Sequence, residues 1–249
     1  LQNGSQTVAV AVPIIAADFK SYVKVMNQLP QSYRIGHNVI TYDKKIPFVG
    51  SKRATWTLNI NLEDIKKEDE WALPILALLD EMELLDLGIE QDLNETNTQD
   101  TGFRTVDKGI RAAGTISHRL YQVPRGVEAY NRIATALTAY RLALDNPSRM
   151  RAIGYSGKNK NLDALNYAIK KTQDTQGDFT ADGAPYALKW VLEHIPGGKL
   201  VMQYKKFPLL MIWNYARSVH MSFAGQGWKQ KAIGWRATRN LLAHTMMLS

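Results

Sequence analysis

From Val127 to Leu144 the apolar side chains recur at steps of three and four: Val127, Tyr130, Ile133, Ala134, Leu137, Tyr140 and Leu144. A repeat of 3.6 residues collects such positions on one stripe, so the pattern predicts an amphipathic helix that must bury this stripe. Pro124 suits the first turn of that helix, and Asn146-Pro147-Ser148 breaks it. Leu162, Leu165, Ala168 and Ile169 form another stripe that ends near Gly177. A shorter helix is expected over Pro185–His194, stopped by Ile195-Pro196-Gly197-Gly198. Two longer ones should follow, Lys199–Ala224 and Trp228–Leu248, joined by Gly225-Gln226-Gly227.

The first part of the chain is less regular. Thr7–Ala17 is an apolar run interrupted by Pro13, and it reads as a buried segment leading into a helix over Asp18–Leu29. Phe19, Val23 and Met26 share one face of that helix. Pro30, Gly36, Pro47 and Gly50 punctuate residues 30–60, the least helical stretch, where a hairpin or a long loop is expected. Asn61 can cap a helix start, with Glu63 and Asp64 at its positive end. Pro74 opens a helix over Ile75–Leu87 and Gly88 ends it; the polar residues 91–102 should form a surface loop.

The fold class expected is therefore mainly α, an extended multi-helix assembly with a loop or small β-hairpin near residues 30–60. A division into an N-terminal segment, 1–104, and a basic helical region, 105–249, is expected. Leu1 stands where a complete chain would carry methionine, so a longer protein is expected. With 249 residues and 45% hydrophobic composition, the chain can bury one sizeable core or two smaller ones. It has no cysteine, which removes disulfides, thiolate chemistry and cysteine-bound zinc.

The net charge of +8 is unevenly spread. Residues 1–124 hold 13 basic and 16 acidic side chains, whereas residues 125–249 hold 18 and 7. Residues 63–107 alone carry 14 acids against three basic residues. After Gly183 come nine Lys or Arg and a single acid, Glu193. Such asymmetry fits two faces with different partners, head-to-tail contacts between copies, or two solvated helix faces of opposite sign.

The chemistry-bearing patterns are sparse. Histidines 37, 118, 194, 220 and 244 are scattered, and no phosphate-binding loop, dinucleotide fingerprint or nucleophile elbow is present. Glu81, Glu83 and Asp86, and likewise Glu68, Asp69 and Glu70, are close enough in sequence to raise a metal clamp. An apolar pattern runs through them, so a solvated acidic face is the default. No catalytic residue, metal or cofactor is expected.

The basic end mixes cations with rings: Tyr204-Lys205-Lys206-Phe207, Trp228-Lys229 and Trp235-Arg236. That combination could bind phosphates and stack bases, or it could be core rings framed by snorkelling cations. The candidate polyanion contacts are Lys199, Lys205, Lys206, Arg217, Lys229, Lys231, Arg236 and Arg239. Phe207–Trp228 has one formal charge, Arg217, yet Pro208, Asn214, Ser218, His220 and two glycines make insertion into a bilayer costly. A buried interface helix is expected there.

Three blocks in order resemble a known family. They are Glu128-Ala-Tyr-Asn-Arg-Ile-Ala-Thr-Ala-Leu-Thr-Ala-Tyr-Arg-Leu-Ala, then Thr175-Gln-Gly-Asp-Phe-Thr, then Lys199-Leu-Val-Met-Gln-Tyr-Lys-Lys-Phe-Pro-Leu. Together they are similar to the C-terminal region of giant phage polyvalent proteins of the PLxRFG type, themselves similar to the large internal virion (ejection) proteins of short-tailed phages. The likeness covers residues 105–249 and, loosely, 1–20; the PLxRFG motif itself is absent. It implies a non-enzymatic virion protein of the capsid interior or the portal and tail region, later in the host periplasm or inner membrane. There it would form part of a conduit for genome delivery across the host envelope. Its implied partners are further copies of itself, other ejection proteins, portal or tail proteins, double-stranded DNA bound without sequence preference, and the host envelope. The alternative is a nucleic-acid-processing or envelope-degrading enzyme built on the acidic residues 63–100.

Overall fold

A computed structural model describes residues 10–19, 22–45, 55–82, 127, 129–176 and 198–248. Within them the chain is mainly α, with eight α-helices and one two-stranded ribbon. The helices are α1 Val12–Asp18, α2 Tyr22–Val39, α3 Leu73–Glu81, α4 over residues 129–145, α5 Pro147–Ala152, α6 Lys160–Gln176, α7 Gly198–Ala224 and α8 Gly227–Leu248. Strands β1 Ile40–Lys45 and β2 Thr55–Ile60 pair antiparallel, from Ile40 opposite Ile60 to Lys45 opposite Thr55.

Helix α4 is the axis of the fold. Residues 131–140 are all buried, so the helix predicted to be amphipathic is enclosed on every side. The positions between its large apolar residues explain this. Ala136, Ala139, Thr135 and Thr138 are small, and they let neighbours approach on every face. Its buried hydroxyls and amides find partners within the helix and on α2: Thr135 donates to the Asn131 carbonyl at 2.7 Å, Tyr33 donates to Asn131 Oδ1 at 2.7 Å, and Ser32 pairs with Thr138 at 3.0 Å. Around it, α1, α2, α3, α5 and α6 contribute to one apolar cluster, which joins residues on both sides of position 104.

The apolar run before Asp18 is itself helical: α1 starts with Pro13 in its first turn and is buried almost all round. Helix α2 corrects the expected end at Leu29. It continues through Pro30 and Gly36 to Val39. Val25, Leu29, Ser32, Ile35, Gly36 and Val39 keep the helical spacing of buried positions past the proline. Pro30 lies on the exposed face, where water can take the carbonyl that its ring leaves without a donor. A hairpin does follow, but only over residues 40–60.

Asn61 caps a 3-10 turn, Leu62–Asp64, and not an α-helix; its Oδ1 accepts the Glu63 N–H at 3.2 Å. The helix expected from Ile75 runs over Leu73–Glu81, with Pro74 in its first turn. The expectations for Gly88, the 91–102 loop, Pro124 and the 185–194 helix lie outside the described residues.

The last two helices form an antiparallel hairpin. Gly227 makes the turn with φ of 81°, a conformation that side chains with a Cβ rarely adopt. Helix α8 lies between α7 and α1, with Ala237 and Leu241 buried.

Candidate polyanion-binding surface

The eight candidate cations all fall on this hairpin, which has no acid between Gly198 and Leu248. Their environments differ. Lys199, Lys205 and Lys206 are on the first half of α7, and their side chains lie outside the described residues. Arg217 is already engaged: its Nη1 is 2.9 Å from Asp174 Oδ1. Beside it, Asn214 donates to the Asp174 carbonyl at 3.3 Å, so the pair ties α7 to α6. Both charges are partly exposed, and such a pair contributes less than about 1 kcal/mol.

Arg236 reaches inward. Its Nη1 donates to the Ala17 carbonyl, at 3.5 Å, while Arg149 Nε from α5 donates to the Asp18 carbonyl. Two guanidiniums from different helices thus take up carbonyls at the negative end of α1, where the helix dipole favours cations. Burial lowers the Arg236 pKa, and the nearby charges of Arg149 and Arg239 lower it further. Arg239 is exposed, and its Nη2 donates to the Asn240 amide oxygen at 3.3 Å. Lys229 is exposed, Lys231 half-buried, and neither has an ion pair among the described residues.

The folded chain therefore gathers Arg236 and Arg239 with Arg149, and separates them from Arg217. Arg149 was not among the cations singled out from sequence. It stands 131 residues from its carbonyl partner, and no local pattern marks such a contact.

Beneath these guanidiniums lies a buried carboxylate. Asp18 Oδ2 accepts the Tyr167 hydroxyl at 3.0 Å and the Lys171 ammonium at 2.7 Å. Tyr167 packs edge-on against Phe19 and Tyr155, with centroids 5.6 and 6.0 Å apart. Burial, then Asp18, pushes the Tyr167 phenol well above its ordinary value. Tyr155 is pushed up to about 12, first by burial and then by Asp18, Asp174 and Asp163. Tyr167 and Lys171 of α6 thus clasp the Asp18 carboxylate at the end of α1.

The acidic triplet also resolves differently from its default. Asp69 is not solvated: it is 2% exposed, with Arg34 Nη2 and Gln31 Nε2 each 3.0 Å from its oxygens. Arg34 also meets Glu68 at 3.1 Å. Arg141 donates to Gln31 and lies over the Trp71 ring, 4.9 Å from its centre. This network fastens the 3-10 turn Lys67–Ala72 to α2 and α4. Glu70 and Glu81 are exposed, as the acidic-face expectation had it, while Glu83 and Asp86 lie outside the described residues. Among the described residues no three His, Asp or Glu side chains are grouped to hold a metal ion. His37 is exposed beside the Tyr130 ring, 6.3 Å between centres, and His220 is exposed.

Phe207–Trp228 was expected to be a buried interface helix; among the described side chains of α7, which begin at Met211, the buried ones are the small polar residues Asn214, Ser218 and Ser222. Ile212, Trp213, Val219 and Phe223 are between 41 and 65% exposed. The close approach of α8 decides this. A methyl group built on Gly234 would stand 2.5 Å from the Ser222 amide nitrogen, so only small residues fit at the seam. Among the described residues no helix is long and apolar enough to cross a membrane.

No protein-family model, no curated protein and no solved structure matches the chain.

Proposed function

We propose that this chain is a non-enzymatic structural segment of a phage internal virion (ejection) protein, which helps to form a conduit for genome delivery and touches DNA through its phosphates alone. The observation that carries the DNA contact is the acid-free hairpin, on which Lys229 and Arg239 are exposed, together with Arg149 of α5, which stands near Arg236 at the end of α1. Crowded like charges favour an anion between or above them, and a phosphate backbone supplies anions at regular spacing. Phosphate contacts carry no sequence information, so contact through them is independent of sequence. The virion setting rests on the three ordered blocks from Glu128 to Leu209. A ring of copies around an axis, with portal, tail and other ejection proteins as neighbours, follows from that setting. The carboxylates of the rival enzyme reading are engaged or dispersed where they are described: Asp69 is held by Arg34, and Glu70 and Glu81 face solvent.

The test is a salt series with duplex DNA of arbitrary sequence, read by fluorescence anisotropy. Log affinity should fall linearly with log salt, by about 0.9 for each phosphate engaged. Replacing Lys229 and Arg239 together by Gln should make that slope shallower by about two. No binding at low salt, or a slope untouched by the double substitution, overturns the phosphate contact.

A further inference from the structure

The hairpin also carries an apolar stripe that phosphate contact does not use. On α8, Trp228, Trp235 and Leu242 recur every seven residues, which is nearly two full turns, so they line one side of the helix. They are 82, 52 and 48% exposed. On α7, Val219 and Phe223 sit one turn apart on the exposed side. The rings of Phe223 and Trp235 meet edge-on at 5.2 Å, which joins the two stripes into one surface. Arg239 lies within it, one turn beyond Trp235. A shallow groove of about 540 Å³ runs there, between Trp235, Arg239 and Leu242. The opposite side of the hairpin is the seated one, held by Ala237 and Leu241 and by the contacts to Asp174.

We infer that this face docks on an anionic lipid surface, with the hairpin lying in the plane of the interface. Two properties must be matched at once, positive charge and a row of aromatic and aliphatic side chains. A second copy set face to face matches the apolar row but not the charge, because it would set Arg239 and Lys229 against cations. Elsewhere among the described residues the exposed large hydrophobics are Val23, Met82 and Leu162, each on or beside a different helix. Duplex DNA offers phosphates but no apolar layer for Leu242 or Val219. A bilayer interface offers both, with anionic headgroups level with the guanidiniums and acyl chains just below. Indole rings partition to that depth. The stripe from Trp228 to Leu242 is about 21 Å long at the helical rise, and neither helix is apolar enough to cross, so the hairpin lies on the membrane. This inference does not depend on the virion reading.

Vesicle sedimentation with the whole chain tests it, using pure phosphatidylcholine and an equal mixture of phosphatidylcholine and phosphatidylglycerol. Binding to the mixture should exceed binding to pure phosphatidylcholine by about tenfold or more, with a blue shift of tryptophan emission. The double variant Trp235→Ser, Leu242→Ser should lose about tenfold in vesicle binding. Its circular dichroism and its DNA affinity should stay as they were, which separates this face from the phosphate contact. Absence of binding to the anionic vesicles, or equal binding by the double variant, overturns the inference. So does a concentration-dependent dimer that the double variant abolishes, because a second copy then occupies the face.

Discussion

Helix α4 and the α7–α8 hairpin solve opposite packing problems with similar residues. In α4, Ala and Thr fill the gaps between large apolar side chains, and every face from 131 to 140 is covered. In the hairpin, Ser218, Ser222, Gly234 and Thr238 are inside, while Phe223, Trp228 and Trp235 are outside. Small residues at α4 admit neighbours from all sides. In the hairpin they admit one neighbour very closely and leave the large side chains without cover. Where a chain puts its small residues thus decides which of its large ones remain available for something else.

The comparison can be broken most sharply by deleting side chains on either side of it. Leu137→Ala removes a fully buried side chain from the enclosed helix and should cost about 2–5 kcal/mol in denaturant unfolding. The same experiment on Trp235→Ala, which is half exposed, should change stability by less than about 1 kcal/mol. Equal losses would mean that the hairpin face is covered after all. A middle-sized effect is expected at the seam. Gly234→Ala forces α7 and α8 apart at backbone level and should cost about 1–3 kcal/mol, with faster amide exchange around Ser222.

The smallest effect concerns pH. Tyr155 ionises near 10 when unfolded and near 12 when folded, so the folded state keeps a proton that the unfolded chain has lost. The stability this contributes is complete below pH 10 and disappears as the pH rises towards 12. Tyr167 and Tyr140, also pushed upward, act in the same direction. The melting temperature should therefore fall across this window, and Tyr155→Phe should make the fall shallower. A melting temperature that stays flat in the same window would remove the Asp18 clasp from the account.

Periodicity made the long helices legible. Both helices of the hairpin end within a residue or so of the expected positions, because their glycine turn is a local signal. The same reading failed at Pro30, where the burial of Ser32, Ile35 and Val39 against α4 carried the helix onward. That burial depends on residues about a hundred positions away, which no local window contains. The site was legible as a list of cations but not as an arrangement. Arg217 and Arg236 look alike in sequence. One meets Asp174 on the neighbouring helix and the other reaches the end of α1, and only the folded chain separates them. Asp69 taught the same lesson: an acid flanked by acids reads as solvated until Arg34 is found across it.

The seam at Gly234 has a mechanical consequence. Two helices held apart by side chains can slide or twist, because rotamers yield. Where the backbone of one meets the backbone of the other, as at Gly234 and Ser222, no soft layer remains to absorb a load. Arg236, on the same helix as Gly234, reaches the Ala17 carbonyl, so the close-packed seam and the end of α1 are joined through α8.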